Sequence, residues 1–169
     1  MTTTTVDAGT WTVDAATRAG FAVRNFGINT VRGTIAVTAG AVTIGQDGQP
    51  VRLSGALDPA SIDTGNPRRD ADLRGKRFLD VAHHPLMEVI AEHIERTADG
   101  WRAHAVLRVA GAETPLPIDG TLVRRSPADR LLVTAIARLH LPDVGIRPPR
   151  FLVGHQVDLT ITAELSRTT

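Results

Sequence analysis

The residues best suited to chemistry lie between Ser61 and Pro85, in the stretch SIDTGNPRRDADLRGKRFLDVAHHP. Arg68, Arg69, Asp70, Asp72, Arg74, Lys76, Arg77 and Asp80 crowd into it, followed by the pair His83-His84. Guanidinium groups offer a fork of donors that matches phosphate oxygens, so Arg69 or Arg74 could hold an anionic head. Asp70 with His83 or His84 would be an acid–base pair if the fold brought them within hydrogen-bond reach. Ser61 has no glycine elbow around it, so it makes a poor nucleophile. The non-catalytic alternative is a fastening: on a helix, Arg69 and Asp72 are i,i+3 and Asp70 and Arg74 are i,i+4, spacings at which side chains pair.

Other chemistries find little support. Adjacent His83 and His84 would point to opposite faces of a strand and could not share a metal. His93, His104, His140 and His155 are scattered along the chain, which predicts surface or core roles for them, and no metal site is expected. There is no cysteine, hence no disulfide, thiolate ligand or cysteine nucleophile. GTIAVTAGAVTIG reads as two strands, Gly33–Ala39 and Ala41–Ile44, and lacks the pattern of a phosphate-binding loop. No cofactor is expected.

The elements around the charged stretch are strands. In WRAHAVLRV, Trp101, Ala103, Ala105, Leu107 and Val109 share one face, and QVDLTITAEL and LVTAIARLHL alternate in the same way. Period-two alternation predicts antiparallel strands with one buried face. Asp47-Gly48 and Asp99-Gly100 are hairpin dipeptides between such runs. About eight strands with even turn signals predict a sandwich or a barrel. Two segments break the pattern. Asn66-Pro67 is a helix start and Gly75 suits a left-handed helix end, predicting a short helix near 66–75. In PLMEVIAEHIER, Met87, Ile90, Ala91 and Ile94 would line one face of a helix, and period alone does not separate helix from strand there.

With 169 residues, one domain is expected, spanning 9–166 behind a disordered tail over 1–8. A net charge of +1 with both signs interleaved is a solubility balance and argues against a nucleic-acid partner. No apolar run approaches the roughly 20 residues of a membrane span. MTTTTVDAGTW has neither a basic nor an apolar leader region, so a cytoplasmic location is expected.

Four ordered motifs carry a resemblance: WTVDAATRAGFAVRNFGINTVRG, the Ser61–Pro85 stretch, AGAETPLPI with GTLVRR, and DVGIRPPRFLVGHQVDLTITAEL. Together they resemble the YceI-like family of lipocalin-like polyisoprenoid-binding proteins, over Gly9 to Leu165. The resemblance implies an all-β fold: an extended eight-stranded antiparallel lipocalin-like barrel with the helical insertion at one end. It also implies that MEVIAEHIE is a strand. The chain departs from the family pattern at Asn25, where a histidine is common, at Ile35 and Val89, where phenylalanine is usual, and at Val144 before Gly145.

The function so implied is binding of a long apolar amphiphile, a polyisoprenoid, isoprenoid quinone or similar lipid, as a carrier or sensor without catalysis. Phe21, Val23, Ile35, Val89 and Leu107 are the lining candidates. Trp101 and Phe78 would line or close the ends, and Asn25, Arg69 and Arg74 would meet the head group. A homodimer is compatible with the resemblance, with Ile90, Ile94 and Leu132 as exposed contributors. Two alternatives stay open: an enzyme acting on an apolar substrate in the pocket, and a packed interaction module whose lumen is filled.

Overall fold

The computed structural model describes residues 6–24, 30–126, 129–146 and 155–168. Nine strands form one antiparallel sheet: β1 (Gly9–Val13), β2 (Arg18–Arg24), β3 (Thr30–Ile44), β4 (Pro50–Asp63), β5 (Met87–Arg96), β6 (Trp101–Val109), β7 (Ala112–Ser126), β8 (Arg130–His140) and β9 (Gln156–Arg167). They occupy eight barrel positions, because β1 and β2 are collinear. β1 pairs with the Ala41–Ile44 end of β3 and the Leu165–Arg167 end of β9, and β2 pairs with the opposite ends of the same two strands. A turn at Asp14–Thr17 separates them, closed by Thr17 N–H to the Asp14 carbonyl at 3.1 Å. Pairing of β3 with β4 closes the cylinder and leaves no open edge in the circuit.

The alternation predicted for β6 holds residue by residue: Ala103, Ala105, Leu107 and Val109 are buried and the residues between them exposed. β5 is a strand, and its helix-like spacing has a local cause. Ala91 pairs with Ala105 and Ile94 with Ala103, so three steps on β5 match two on β6. This β-bulge reverses the inward phase from odd to even positions. Met87, Val89 and Ala91 face in before it and Ile94 after it, packed with Ala91, Ala103 and Ala105. Of the three residues expected as exposed dimer contributors, Ile94 packs inward and Ile90 and Leu132 are half-buried, so none is fully exposed.

Three further features stand apart from the sequence pattern. Gly33 to Ile44 lies within one 15-residue strand, β3, whose register against β4 shifts at Val37/Ala39, so a bulge takes the place of a turn. Within the stretch expected as a tail, Val6 is buried in a cluster with Trp11, Ile44, Leu131 and Leu165. The β6–β7 hairpin turns at Ala110-Gly111, both at positive φ (50° and 79°). That primed two-residue turn places alanine where Asn, Asp or Gly is usual, so the sequence carries only half its signal.

The helix α1 (Pro67–Arg74) forms for the predicted reasons at its start. The Asn66 side chain accepts from the Arg69 N–H at 3.1 Å and Pro67 opens the first turn. Its end differs: Gly75 has φ −75° and ψ 172°, which is extended backbone, so the helix stops without a left-handed cap. No helix among the described residues is long and apolar enough to cross a membrane.

Candidate functional site: an apolar half-barrel cavity

The inward faces divide the barrel into two halves. At the end carrying the β3–β4 and β5–β6 turns, Trp11, Val6, Ile44, Leu131 and Leu165 fill the lumen. Trp11 is fully buried, and its indole N–H donates to the Asp7 carbonyl at 3.0 Å. At the α1 end a cavity of about 580 Å³ opens instead. Its wall is almost wholly apolar, with polar side chains concentrated at Asn66, Arg68, Arg69 and Asp72 beside α1. Asn66, Arg68 and Asp72 are exposed, so the cavity reaches the surface there. On β9 it runs from Val157 to Ile161, a depth of roughly 13 Å at about 3.3 Å per residue. The hollow is thus a blind pocket rather than a bore through the whole barrel.

Space persists here because the side chains are short. Ala135 and Ala137 on β8, Ala19 and Gly20 on β2, and aliphatic Ile35 and Val89 line the wall. Phe21 lies directly across from Gly33 in the β2–β3 ladder. A Cβ built on Gly33 would overlap the Phe21 ring and come within 2.8 Å of the Asp63 carbonyl, so a glycine there lets the ring lie flat against the wall.

Of the residues expected in the site, Phe21, Val23, Ile35, Arg69, Phe78, Val89 and Leu107 line this cavity together. Arg74 and Trp101 do not. The Arg74 guanidinium donates to the Ala60 and Ile62 carbonyls (2.8 and 3.1 Å), tying α1 to β4. Trp101 sits at the far end, its indole N–H donating to Gln49 Oε1 at 2.9 Å. Asn25 lies outside the described residues. Arg69 is half-engaged, donating through Nε to Thr64 Oγ1 (2.8 Å) and through Nη2 to the Thr64 carbonyl (3.0 Å).

The charged stretch is therefore mainly a fastening, but not by the pairs its spacing suggests. Neither Arg69–Asp72 nor Asp70–Arg74 forms an ion pair. Asp70 is buried and accepts from the Thr64 N–H (3.0 Å) and the Thr64 hydroxyl (2.5 Å), which satisfies its carboxylate within the fold. The cation that spacing did not single out is Arg68. It is exposed, lines the mouth, and its side chain makes no hydrogen bond or ion pair among the described residues. The signal was present in part: Arg68 follows the N1 proline directly, so it projects from the first turn, away from the Arg69–Arg74 side that meets β4.

An acid–base pair does not assemble in the pocket. No histidine lines it, and Asp70 is held by Thr64. His83 and His84 lie in a turn rather than on a strand, and His83 Nδ1 pairs with Asp80 Oδ1 at 2.9 Å. That carboxylate raises the His83 pKa above the ordinary 6.5, chiefly through the hydrogen bond. A second hollow of about 530 Å³, between His84 and the Arg108–Glu113 pair, lies outside the barrel wall and is more polar.

Known proteins resemble the chain over most of its length. A UPF0312 protein of Serratia proteamaculans is 23% identical over 149 residues, covering 85% of this chain and 78% of the relative. A UPF0312 protein of Yersinia pestis is 26% identical over 150 residues with the same coverage. Among solved structures, BcnA of Burkholderia cenocepacia superposes with a TM-score of 0.73 at 14% identity, over 90% of this chain and 98% of that one. A polyisoprenoid binding domain from Saccharophagus degradans, implicated in plant cell wall breakdown, gives 0.66 at 13% identity over 96% and 100%. The YceI protein of Campylobacter jejuni gives 0.71 at 16% identity over 86% and 90%. At those identities the superpositions establish the fold, a closed eight-position antiparallel barrel with one short helix. The sequence decides the family: the YceI-like domain model matches residues 11–165, and the chain belongs to that family.

Proposed function

We propose that the protein is a carrier or sensor that sequesters the tail of an isoprenoid-like amphiphile in its blind apolar pocket and meets the polar head with Arg68 at the mouth. One observation supports this reading above the others: a cavity of about 580 Å³ whose wall is almost wholly apolar, with its charged side chains gathered at one end. That volume falls within the usual range for small-ligand sites, about 300–1,000 Å³. Burying ten methylene equivalents contributes roughly 8 kcal/mol gross, about micromolar before ordering costs are subtracted. The task needs no catalytic group, since it is the solvation of a chain that water excludes. The likeness to a polyisoprenoid binding domain favours a branched prenyl tail. A pocket roughly 13 Å deep encloses a short prenyl chain or one end of a long one. The exposed guanidinium of Arg68 suits a phosphate or pyrophosphate head.

The test is recovery of the protein under native conditions, mass spectrometry of its organic extract, and titration with a fluorescent prenyl phosphate. Co-purification of a prenyl lipid, or saturable one-to-one binding of the probe, supports the proposal. Protein that is both empty and unable to bind the probe overturns it.

A further inference from the structure

The outer wall of the β5–β6 hairpin carries three side chains that alternation alone would not put together. Counting outward from the Arg96–Trp101 pair through Ile94–Ala103 sets His93 opposite His104, with Glu95 two residues along. The bulge between Ala91 and Ile94 is what turns this set outward. In the phase of Met87, Val89 and Ala91, residues 93 and 95 would face the lumen; after the reversal His93 and Glu95 are exposed, as His104 is. The two imidazoles stack with centroids 5.0 Å apart and planes inclined by 28°. His104 Nε2 lies 2.9 Å from Glu95 Oε1. One nitrogen from each ring and a carboxylate oxygen all lie within 4.8 Å of one another. Two neighbouring cations are already engaged: Arg102 pairs with Asp119 at 2.8 Å and Arg52 with Glu92 at 2.9 Å.

We propose that His93, Glu95 and His104 form a site for a divalent transition metal of the zinc, copper or nickel class, on the barrel's outer surface and separate from the lipid pocket. Two imidazoles with one carboxylate are a borderline ligand set that suits these ions over magnesium or calcium. In a tetrahedral zinc site with bonds of about 2.0–2.1 Å, ligand atoms are about 3.3 Å apart. The Glu95–His104 separation is close to that edge, and rotation of exposed side chains closes the rest. Three protein ligands leave a fourth position for water or for a donor from another molecule.

The test uses tag-free, chelator-treated protein, titrated calorimetrically with Zn2+ and followed optically with Co2+. The expected result is one equivalent bound, with the visible bands of a four-coordinate Co2+ centre. His93→Gln and His104→Gln each weaken binding at least about tenfold, the lower bound for losing even a supporting contact. His140→Gln, on another part of the surface, leaves it unchanged. All three positions are exposed, and unchanged circular dichroism confirms that the fold is intact. Absence of stoichiometric binding, or binding insensitive to both the His93 and His104 changes, overturns the proposal.

Discussion

Replacing Ala137 by phenylalanine tests the pocket from the inside. Ala137 lies on β8 between exposed Ile136 and Arg138, so its own side chain points inward, where it lines the cavity between Ile118 and Leu159. A phenyl ring there displaces about five methylene equivalents of any tail, removing about 4 kcal/mol of burial. That is about a thousandfold in Kd, and outward sliding of the tail would restore about half, leaving a loss of at least about thirtyfold. The same change reads the cavity independently of any ligand. A ring entering open space leaves stability nearly unchanged or raises it, whereas a ring forced into a filled core costs about 1–3 kcal/mol. Titration with a fluorescent prenyl phosphate, with a thermal melt of each protein, measures both. Unchanged affinity in a normally folded Ala137→Phe protein refutes binding in the lumen, and a clear fall in melting temperature refutes the hollow itself.

Other positions separate fastening from binding. Arg68→Ala removes a solvent-facing contact worth about 1.5 kcal/mol, so affinity for a prenyl phosphate falls about tenfold while the melt is unchanged. Arg74→Ala loses its bonds to the Ala60 and Ile62 carbonyls and costs about 1–2 kcal/mol of stability, read by urea unfolding. Trp11→Ala opens a void in the filled half and costs about 3–5 kcal/mol by the same measurement. In an NMR titration His83 has a midpoint above 6.5, and Asp80→Asn brings it down. Because pairing raises the folded-state value, the stabilisation is fully present below the unfolded value and lost as pH rises through the folded one. Asp80→Asn therefore lowers stability on the acidic side of that window and leaves the alkaline side unchanged.

What could be read in the residues depended on how regular each element is. β6 and β9 alternate without interruption, and their inward faces were legible at every position. β5 was ambiguous because one extra residue at its bulge imposes a spacing close to that of a helix. The same bulge hid the meeting of His93, Glu95 and His104, which becomes visible only when the hairpin register is counted from Arg96–Trp101. In the charged stretch the helix start was legible, since Asn66-Pro67 acts locally. The partners of its charges were not, because Arg74 and Asp70 bind the backbone or hydroxyl groups of β4 and the segment after it, which no helical spacing encodes. The hollow itself is the least legible feature. Alternation tells which side chains face in, but whether they meet at the axis depends on how nine strands close around it.

The proposed ligand places its apolar tail in the α1 half of the lumen and nowhere else. A crystal structure of the protein grown with a prenyl phosphate tests it most directly. Continuous density is expected from the Arg68 mouth past Ile35 and Leu107, ending short of the Trp11 cluster. Density confined to the outer wall, or a lumen occupied along its length by the protein's own side chains, would contradict it.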